Sequence, residues 1–183
     1  MKRLIISLAF AFFAVLSFAQ DFPAGMRMEM TSVGEDDFQQ SLFSYKDDDG
    51  TFAYYLSLGR VYRLLEISSE IGGDFSLDHI DEICICMGKN YDEVSASLEA
   101  LLNMFEMETG TVVEFPCRLS MGLEKLGPES IATCIVTKRF LQAKRLCFHF
   151  VSGHRSAETD LKKSALKSLR WSFNLYKGMH PEN

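Results

Sequence analysis

The sequence predicts an α+β fold: a mostly antiparallel sheet of about seven to eight strands with two amphipathic helices packed on one face. Three observations predict it. Short apolar segments bounded by turn residues recur along most of the chain, as expected of strands. Only two segments, at about 91–107 and 157–177, place apolar residues at helical spacing. The regular strand–helix alternation of a doubly wound parallel sheet is absent.

Residues 1–19 have the composition of a cleavable export signal. Lys2 and Arg3 precede an apolar run of about 13 residues, and small residues lie at positions −3 and −1 of a cleavage site after Ala19. The alternative, a membrane anchor, needs about 20 apolar residues. We therefore expect a soluble protein that is exported to the periplasm or the extracellular space, with no transmembrane segment in the mature chain.

The chain of 183 residues, 47% of them hydrophobic and 24% charged, has the composition of an ordinary globular protein. Residues 20–25 form a flexible leader, and 26–183 have the length of a single domain. A strand, a glycine, a polar cap and an amphipathic helix occur twice in this domain. This repetition indicates either a duplication whose two β-then-α halves, 26–107 and 110–178, have diverged, or convergence on a common supersecondary form. Convergence is the favoured interpretation.

Five strands are predicted before the first helix. Met26–Val33 alternates apolar and polar residues, which is typical of a half-buried strand. Asp49-Gly50 between two aromatic-rich segments predicts a hairpin. The five predicted strands lie at 26–33, 41–46, 51–58, 61–69 and 79–87.

The helix at 91–107 follows a polar cap at Asn90 and Asp92. The next strand, at 111–121, contains Pro116, which has no N–H for a sheet ladder and therefore predicts an edge strand or a bulge. Strands at 131–140 and 145–151 complete the set as a second hairpin.

The helix at 157–177 organises the architecture, because its apolar residues lie within an arc of about 140° that needs a sheet to cover it. Ser156 is the candidate N-cap, and Glu158 and Asp160 suit the first turn of a helix. Gly178 stands where a C-terminal glycine is common. The apolar arc consists of Leu161, Ala165, Leu166, Leu169, Phe173 and Tyr176.

Charge is unevenly distributed along the chain. The net charge of −6 becomes −8 once Lys2 and Arg3 are removed with the signal. Residues 138–183 carry ten basic and three acidic side chains, a charge of +7, so residues 20–137 carry −15. A basic end folded against an acidic body is the favoured interpretation, and a basic face for an anionic partner is the alternative. The predicted export and the net negative charge of the whole chain argue against a nucleic-acid partner.

Five cysteines in an exported chain permit disulfides, yet all five lie within predicted strands. Buried free thiols are therefore favoured, with one disulfide between neighbouring strands as the alternative. A sharper hypothesis is a metal site. Cys84 with Cys86, and Cys147 with His149, each put two ligands on one strand face, so a Cys₃His site for zinc or a softer ion forms if the two strands are neighbours. The sequence predicts no other cofactor.

Two further groups are candidates for binding. His154 and Arg155 lie at the expected entrance of the second helix, where anions are favoured, although their loop lacks the spacing of a nucleophile elbow. Trp171 and Leu175 lie one turn apart, away from the buried stripe of the same helix. Either a second layer of the chain covers them, or they form with Lys167 and Arg170 an exposed aromatic–basic patch for a protein or envelope partner.

These patterns favour an exported, non-enzymatic binding module of unknown ligand, because no catalytic motif is present. A metal-dependent or hydrolytic enzyme that uses His149, His154 or the cysteines is the alternative from another class. A third hypothesis is an assembly component of the cell envelope, which would offer a sheet edge or face for pairing. The sequence identifies neither a partner nor an oligomeric state.

Overall fold

The computed structural model describes residues 23–34, 39–69, 73–121, 125–138, 140–152 and 155–181. It gives the backbone alone for 60–69, 73–81, 121, 152 and 155–157. The predicted export signal at 1–19 lies outside the described residues. The elements follow in the order β1 (Arg27–Val33), β2 (Gln40–Lys46), β3 (Phe52–Ser69), β4 (Gly73–Gly88), α1 (Tyr91–Met104), β5 (Val112–Met121), β6 (Ser130–Thr137), β7 (Arg145–Ser152), β8 (Arg155–Lys162) and α2 (Lys163–Met179).

The eight strands of the described residues form one antiparallel sheet in sequence order, from β1 to β8. The sheet curls, so that Thr159 of β8 donates a hydrogen bond of 3.4 Å to the carbonyl oxygen of Leu58 in β3. The predicted α+β fold with a mostly antiparallel sheet is confirmed. Four strands followed by a helix occur twice along the described residues.

Four strands differ from the predicted set. Strand β4 begins at Gly73 rather than at 79, and β6 ends at Thr137 rather than at 140. The segments 51–58 and 61–69 form a single strand, β3, in which the register shifts between Ser57 and Arg60. Gly59 lies at this irregularity with a φ of 94°, a conformation that glycine adopts without strain. The segment 155–162 is a strand, β8, although the sequence analysis assigned most of it to the second helix.

The turns and breaks in the sheet follow their sequence signals. Gly50, with a φ of 88°, closes the β2–β3 hairpin and donates its N–H to the carbonyl oxygen of Asp47 at 2.9 Å. Pro116 lies in β5, which is a central strand of the sheet. However, β4 pairs with β5 only from Cys117 onward. Pro116 therefore lies in the half of β5 that is paired on one side, which is locally an edge.

Helix α1 begins where its flanking residues predict, whereas α2 does not. The Asn90 side chain caps α1 by accepting the N–H of Glu93 at 2.9 Å, and Glu93 accepts the N–H of Lys89 at 2.7 Å. Helix α2 begins at Lys163, six residues later than predicted, and the predicted N-cap Ser156 lies in β8. The prediction was wrong there because pairing with β7 holds 155–162 extended. Among the residues that the structure describes, no helix is both long and apolar enough to cross a membrane.

Both helices pack on the same face of the sheet. Their buried residues form one core cluster with the inward-facing residues of the strands. This confirms the prediction that both helices lie on one face of the sheet. The ring of Tyr91 in α1 meets that of Phe173 in α2 edge to face, with 5.5 Å between centroids. The buried helical residues of this core include Val94, Leu98, Leu101, Leu166, Leu169 and Phe173.

Ion pairs connect the basic helix α2 to the acidic helix α1 and to the turn that follows it. Their partners are Lys163 with Glu106, Arg170 with Glu99, and Lys177 with Asp92. This arrangement agrees with a basic C-terminal end folded against an acidic body. It also means that Arg170, a candidate for partner binding, already has an intramolecular partner.

The opposite face of the sheet, its outer face, carries a smaller buried cluster. Its members are Phe43, Tyr45, Ala53, Tyr55 and Cys84. Arg27 stacks over the Phe43 ring at 3.9 Å and reaches across to Glu82 at 2.6 Å, which ties β1 to β4. On the far side of the cluster, Arg118 donates to both carboxylate oxygens of Asp47 at 2.8 Å. The sequence analysis did not predict this second cluster.

Candidate functional site

Cys147, His149 and Glu158 meet on the outer face at the β7–β8 end of the sheet. The residues of β7 that alternate with Cys147 and His149 are buried in the core, so these two side chains point outward. In the antiparallel register His149 lies opposite Glu158, and Cys147 lies opposite Asp160. The strand pairing thus places a thiol, an imidazole and a carboxylate side by side.

The three side chains are in direct contact. The Cys147 Sγ lies 3.4 Å from His149 Nε2 and 3.3 Å from Glu158 Oε1. The His149 Nδ1 lies 3.5 Å from Glu158 Oε2. One potential ligand atom from each residue lies within 4.8 Å of the other two. We call these three residues the Cys–His–Glu cluster.

The cluster borders a partly open depression of about 180 Å³. Cys147 is buried beneath it, His149 is at an intermediate depth and Glu158 is exposed. Arg145 and Asp160, on the same strands, form an ion pair of 3.2 Å beside the cluster. The depression is lined by Thr137, Gln142, Ala143, Arg145, Cys147, His149, Glu158 and Asp160.

Electrostatics argue against Cys147 as a catalytic nucleophile. The contacts have the connectivity of a cysteine–histidine–acid triad, with Sγ at Nε2 and the carboxylate at Nδ1. However, burial raises the pKa of the Cys147 thiol to about 12, and the hydrogen bond to Glu158 and the nearby carboxylates act in the same direction. At pH 7 about one thiol in 10⁵ with such a pKa is ionised, and the thiolate is the nucleophile.

The four-ligand metal site predicted from sequence is not assembled. Its condition was that the strands of Cys84 and Cys147 be neighbours, but β5 and β6 lie between β4 and β7. Three strand spacings separate the pairs, roughly 14 Å in a flat sheet. Cys84 is buried in the outer-face cluster and Cys86 packs against it.

All five cysteines are free thiols, and four of them are buried, as the favoured interpretation expected.

Glu158, the third member of the cluster, was missed because its strand was assigned to a helix. A signal for it is present. Ala157, Thr159 and Leu161 alternate with Glu158 and Asp160. That alternation has the period of a strand and would have put the two carboxylates on one face.

The expected anion site at a helix entrance is displaced. His154 lies outside the described residues, and Arg155 belongs to β8 rather than to a loop before a helix. The N-terminus of α2 lies at Lys163, beside a depression of about 430 Å³. Basic residues line this depression, but Lys163 pairs with Glu106 and Lys144 donates to the carbonyl oxygen of Met107 at 2.6 Å.

An apolar stripe is exposed on α2, as the patch hypothesis expected. Trp171, Leu175 and Met179 are 66%, 48% and 69% exposed, so no second layer formed by the described residues covers them. They follow one another at intervals of four residues, which places them on one side of the helix. Lys167 is exposed one turn before Trp171. We call Trp171, Leu175 and Met179 the Trp171 stripe.

A second exposed apolar group lies at the tip of the β6–β7 connection. Phe140 and Leu141 are almost fully exposed. Leu141 has a φ of 61°, the left-handed conformation that costs a leucine about 1–2 kcal/mol. This tip was not predicted, because the strand expected before it extends to Phe140, whereas β6 ends at Thr137.

Comparisons of the chain with protein-family models, with curated proteins and with solved structures found no match. Its function is therefore argued from the geometry of its own residues.

Proposed function

We propose that the chain is an exported, non-enzymatic binding module that docks on a protein partner through the Trp171 stripe. The observation that supports this proposal is the exposure of the only tryptophan of the chain on the outward side of a helix whose other side is anchored in the core. Exposed apolar patches of this kind mark interaction sites.

Helix α2 carries two separate apolar faces. Its buried residues, Leu166, Leu169 and Phe173, point into the core. At 100° per residue the Trp171 stripe lies about 150° around the helix from them. The helix is held by its buried face and by its ion pairs to α1, so the stripe is presented on a rigid support. A rigid aromatic anchor loses little conformational entropy on binding.

The composition of the stripe and its surroundings indicates the chemistry of the partner. Burial of a large apolar side chain contributes about 1.5–3 kcal/mol, so three such residues suit an apolar groove that accepts one face of a helix. Lys167 is exposed at one end of the stripe, and among the described residues no ion pair involves it. A groove with an acidic rim near Lys167 is the partner that this face fits.

Photo-crosslinking tests this proposal. A photoreactive residue at the position of Leu175, in the full-length chain expressed in its native organism, would identify the partner by mass spectrometry. The affinity of the purified pair is then measured for wild type and for Trp171→Ala. Ile131→Ala is the matched control, because Ile131 is an exposed apolar residue elsewhere on the molecule. We expect a loss of at least about tenfold for Trp171→Ala alone.

Two outcomes would contradict the proposal: no crosslink from the position of Leu175, or equal affinity of the Trp171→Ala and Ile131→Ala variants. Tryptophan fluorescence gives an independent readout. Free protein should emit as a water-exposed indole that acrylamide quenches, and the purified partner should protect it. Emission from a buried indole in the free protein would refute the exposure of the stripe.

Export belongs to the same proposal, on the basis of the sequence of residues 1–19. N-terminal sequencing of the protein recovered outside the cytoplasm should begin at Gln20. A cytoplasmic protein that retains Met1 would refute export, and it would leave the crosslinking result on the Trp171 stripe unaffected.

A further inference from the structure

We propose that the Cys–His–Glu cluster is a binding site for a thiophilic divalent cation, with Zn²⁺ as the expected ion. The proposed ligands are Cys147 Sγ, His149 Nε2 and a carboxylate oxygen of Glu158. This site lies on the sheet, apart from the Trp171 stripe on α2, and it does not depend on the binding function proposed above.

The distances from the Cys147 thiol to the other two proposed ligands match those of a tetrahedral ion. Zinc–sulfur bonds of about 2.3 Å and zinc–nitrogen or zinc–oxygen bonds of about 2.0–2.1 Å put neighbouring ligand atoms of a tetrahedron about 3.3–3.6 Å apart. The distances from Cys147 Sγ to His149 Nε2 and to Glu158 Oε1 are 3.4 and 3.3 Å. Binding therefore requires little movement of the thiol relative to its two neighbours.

The ligand types also fit. Thiolate, imidazole and carboxylate are the three ligand classes that Zn²⁺ uses in proteins. Three protein ligands leave the fourth position of a tetrahedron for water or for an external ligand, and the cluster opens onto the depression of about 180 Å³. The second oxygen of Glu158 faces His149 Nδ1 at 3.5 Å, which favours the tautomer that leaves Nε2 free to bind an ion.

Local charge favours a cation at this position. The Glu158 carboxylate lies 3.3 Å from Cys147 Sγ, and Asp160 lies opposite Cys147 in the strand register, so these two carboxylates would repel a thiolate. A divalent ion bound at Sγ offsets this repulsion and permits the thiol to ionise. Arg145 is the basic group beside the cluster, and its ion pair with Asp160 limits its repulsion of a bound ion.

The alternative is a hydrogen-bonded trio without a metal, in which the protonated thiol of Cys147 donates to Glu158. Cobalt substitution separates the two. The purified full-length chain is stripped with a chelator and titrated with Co²⁺ and then with Zn²⁺. A metal site predicts one equivalent of bound ion, the intense absorption of a tetrahedral cobalt ion, and a near-ultraviolet thiolate-to-cobalt band that Zn²⁺ abolishes.

Variants assign the ligands. Cys147→Ser should remove the thiolate band, and His149→Ala and Glu158→Gln should each weaken Zn²⁺ binding by at least about 100-fold. Both His149 and Glu158 are partly or fully exposed, so these two variants should fold even if Cys147→Ser does not. Cys86→Ser is the matched control, because Cys86 is a less buried thiol outside the cluster, and it should bind as wild type does.

Several results would overturn the proposal. One is less than about a tenth of an equivalent of bound metal after titration. Another is a cobalt spectrum without a thiolate band. A third is equal Zn²⁺ affinity of wild type, His149→Ala and Glu158→Gln, which would assign any binding to other residues.

Discussion

The buried ion pair between Arg27 and Glu82 allows a quantitative test of how the outer face of the sheet is held. The guanidinium and the carboxylate lie 2.6 Å apart, with side-chain exposures of 13% and 10%. Arg27 also donates to Ser41 at 2.7 Å, and Ser57 donates to Glu82 at 3.0 Å. The pair is therefore largely removed from water.

Replacing Arg27 by methionine keeps the contact with the Phe43 ring but removes the Arg27 cation from the buried Glu82 carboxylate. Loss of one partner of a buried pair costs about 3–5 kcal/mol, so we expect Arg27→Met to lower the free energy of unfolding by about 3 kcal/mol or more. Glu82→Gln should cost less, about 1–3 kcal/mol, because the amide oxygen still accepts a hydrogen bond and Glu29 lies 2.6 Å from the guanidinium.

Urea unfolding of the wild type, of Arg27→Met, of Glu82→Leu and of the double variant completes a double-mutant cycle. We expect the double variant to be more stable than Arg27→Met alone, because apolar replacement of both partners of a buried pair is often neutral or stabilising. Single losses below about 1 kcal/mol that simply add in the double variant would refute the argument. That result would mean that water reaches both charges.

Three further predictions follow from single features. Leu141→Gly should raise the free energy of unfolding by about 0.5–1 kcal/mol in urea melts, since relief of the left-handed strain exceeds the entropy that glycine adds to the unfolded chain. The hydrogen bond and charge of Lys177 hold the pKa of Asp92 below its usual 3.8. The free energy of unfolding should therefore be higher for wild type than for Lys177→Met at neutral pH. This difference should vanish as the pH falls below the lowered pKa of Asp92. Burial raises the pKa of the Cys134 thiol to about 12, so iodoacetamide should label Cys86 first in the native protein and Cys134 only after unfolding.

The sequence allowed the fold class to be predicted because periodicity and turn residues are local signals. The Asp49-Gly50 hairpin, the Asn90 cap and the apolar face of α2 all appear where these signals predict them. The assignment of 155–162 was wrong because Leu161 fits both the helical stripe and a strand, and only pairing with β7 decides between them. The two segments of β3 were separated at Gly59 because a bulge glycine resembles a break.

The candidate sites could be predicted only in part. Cys147 and His149 were recognised as a pair because their spacing lies within one strand, and Trp171 was recognised because its helical position lies off the buried stripe. Pairing Cys147 with Cys84 was wrong, since strand order depends on the whole sheet and has no local signal. Glu158 joins the site only through the register of β7 with β8. Residues that meet across strands therefore required the structure.

The order of the strands in the sheet also has a consequence for how the chain folds during synthesis. Each strand pairs with the one synthesised just before it, so the sheet can form by pairing of strands that are close in sequence. Topologies with such local contacts fold quickly. There are two exceptions: β8 contacts β3, and α2, the final element, rests on β1 and β2, the earliest ones. Until residues 163–179 have been synthesised, Leu42 and its apolar neighbours remain exposed to water. Truncation before Lys163 should therefore yield an aggregating product rather than a smaller folded one.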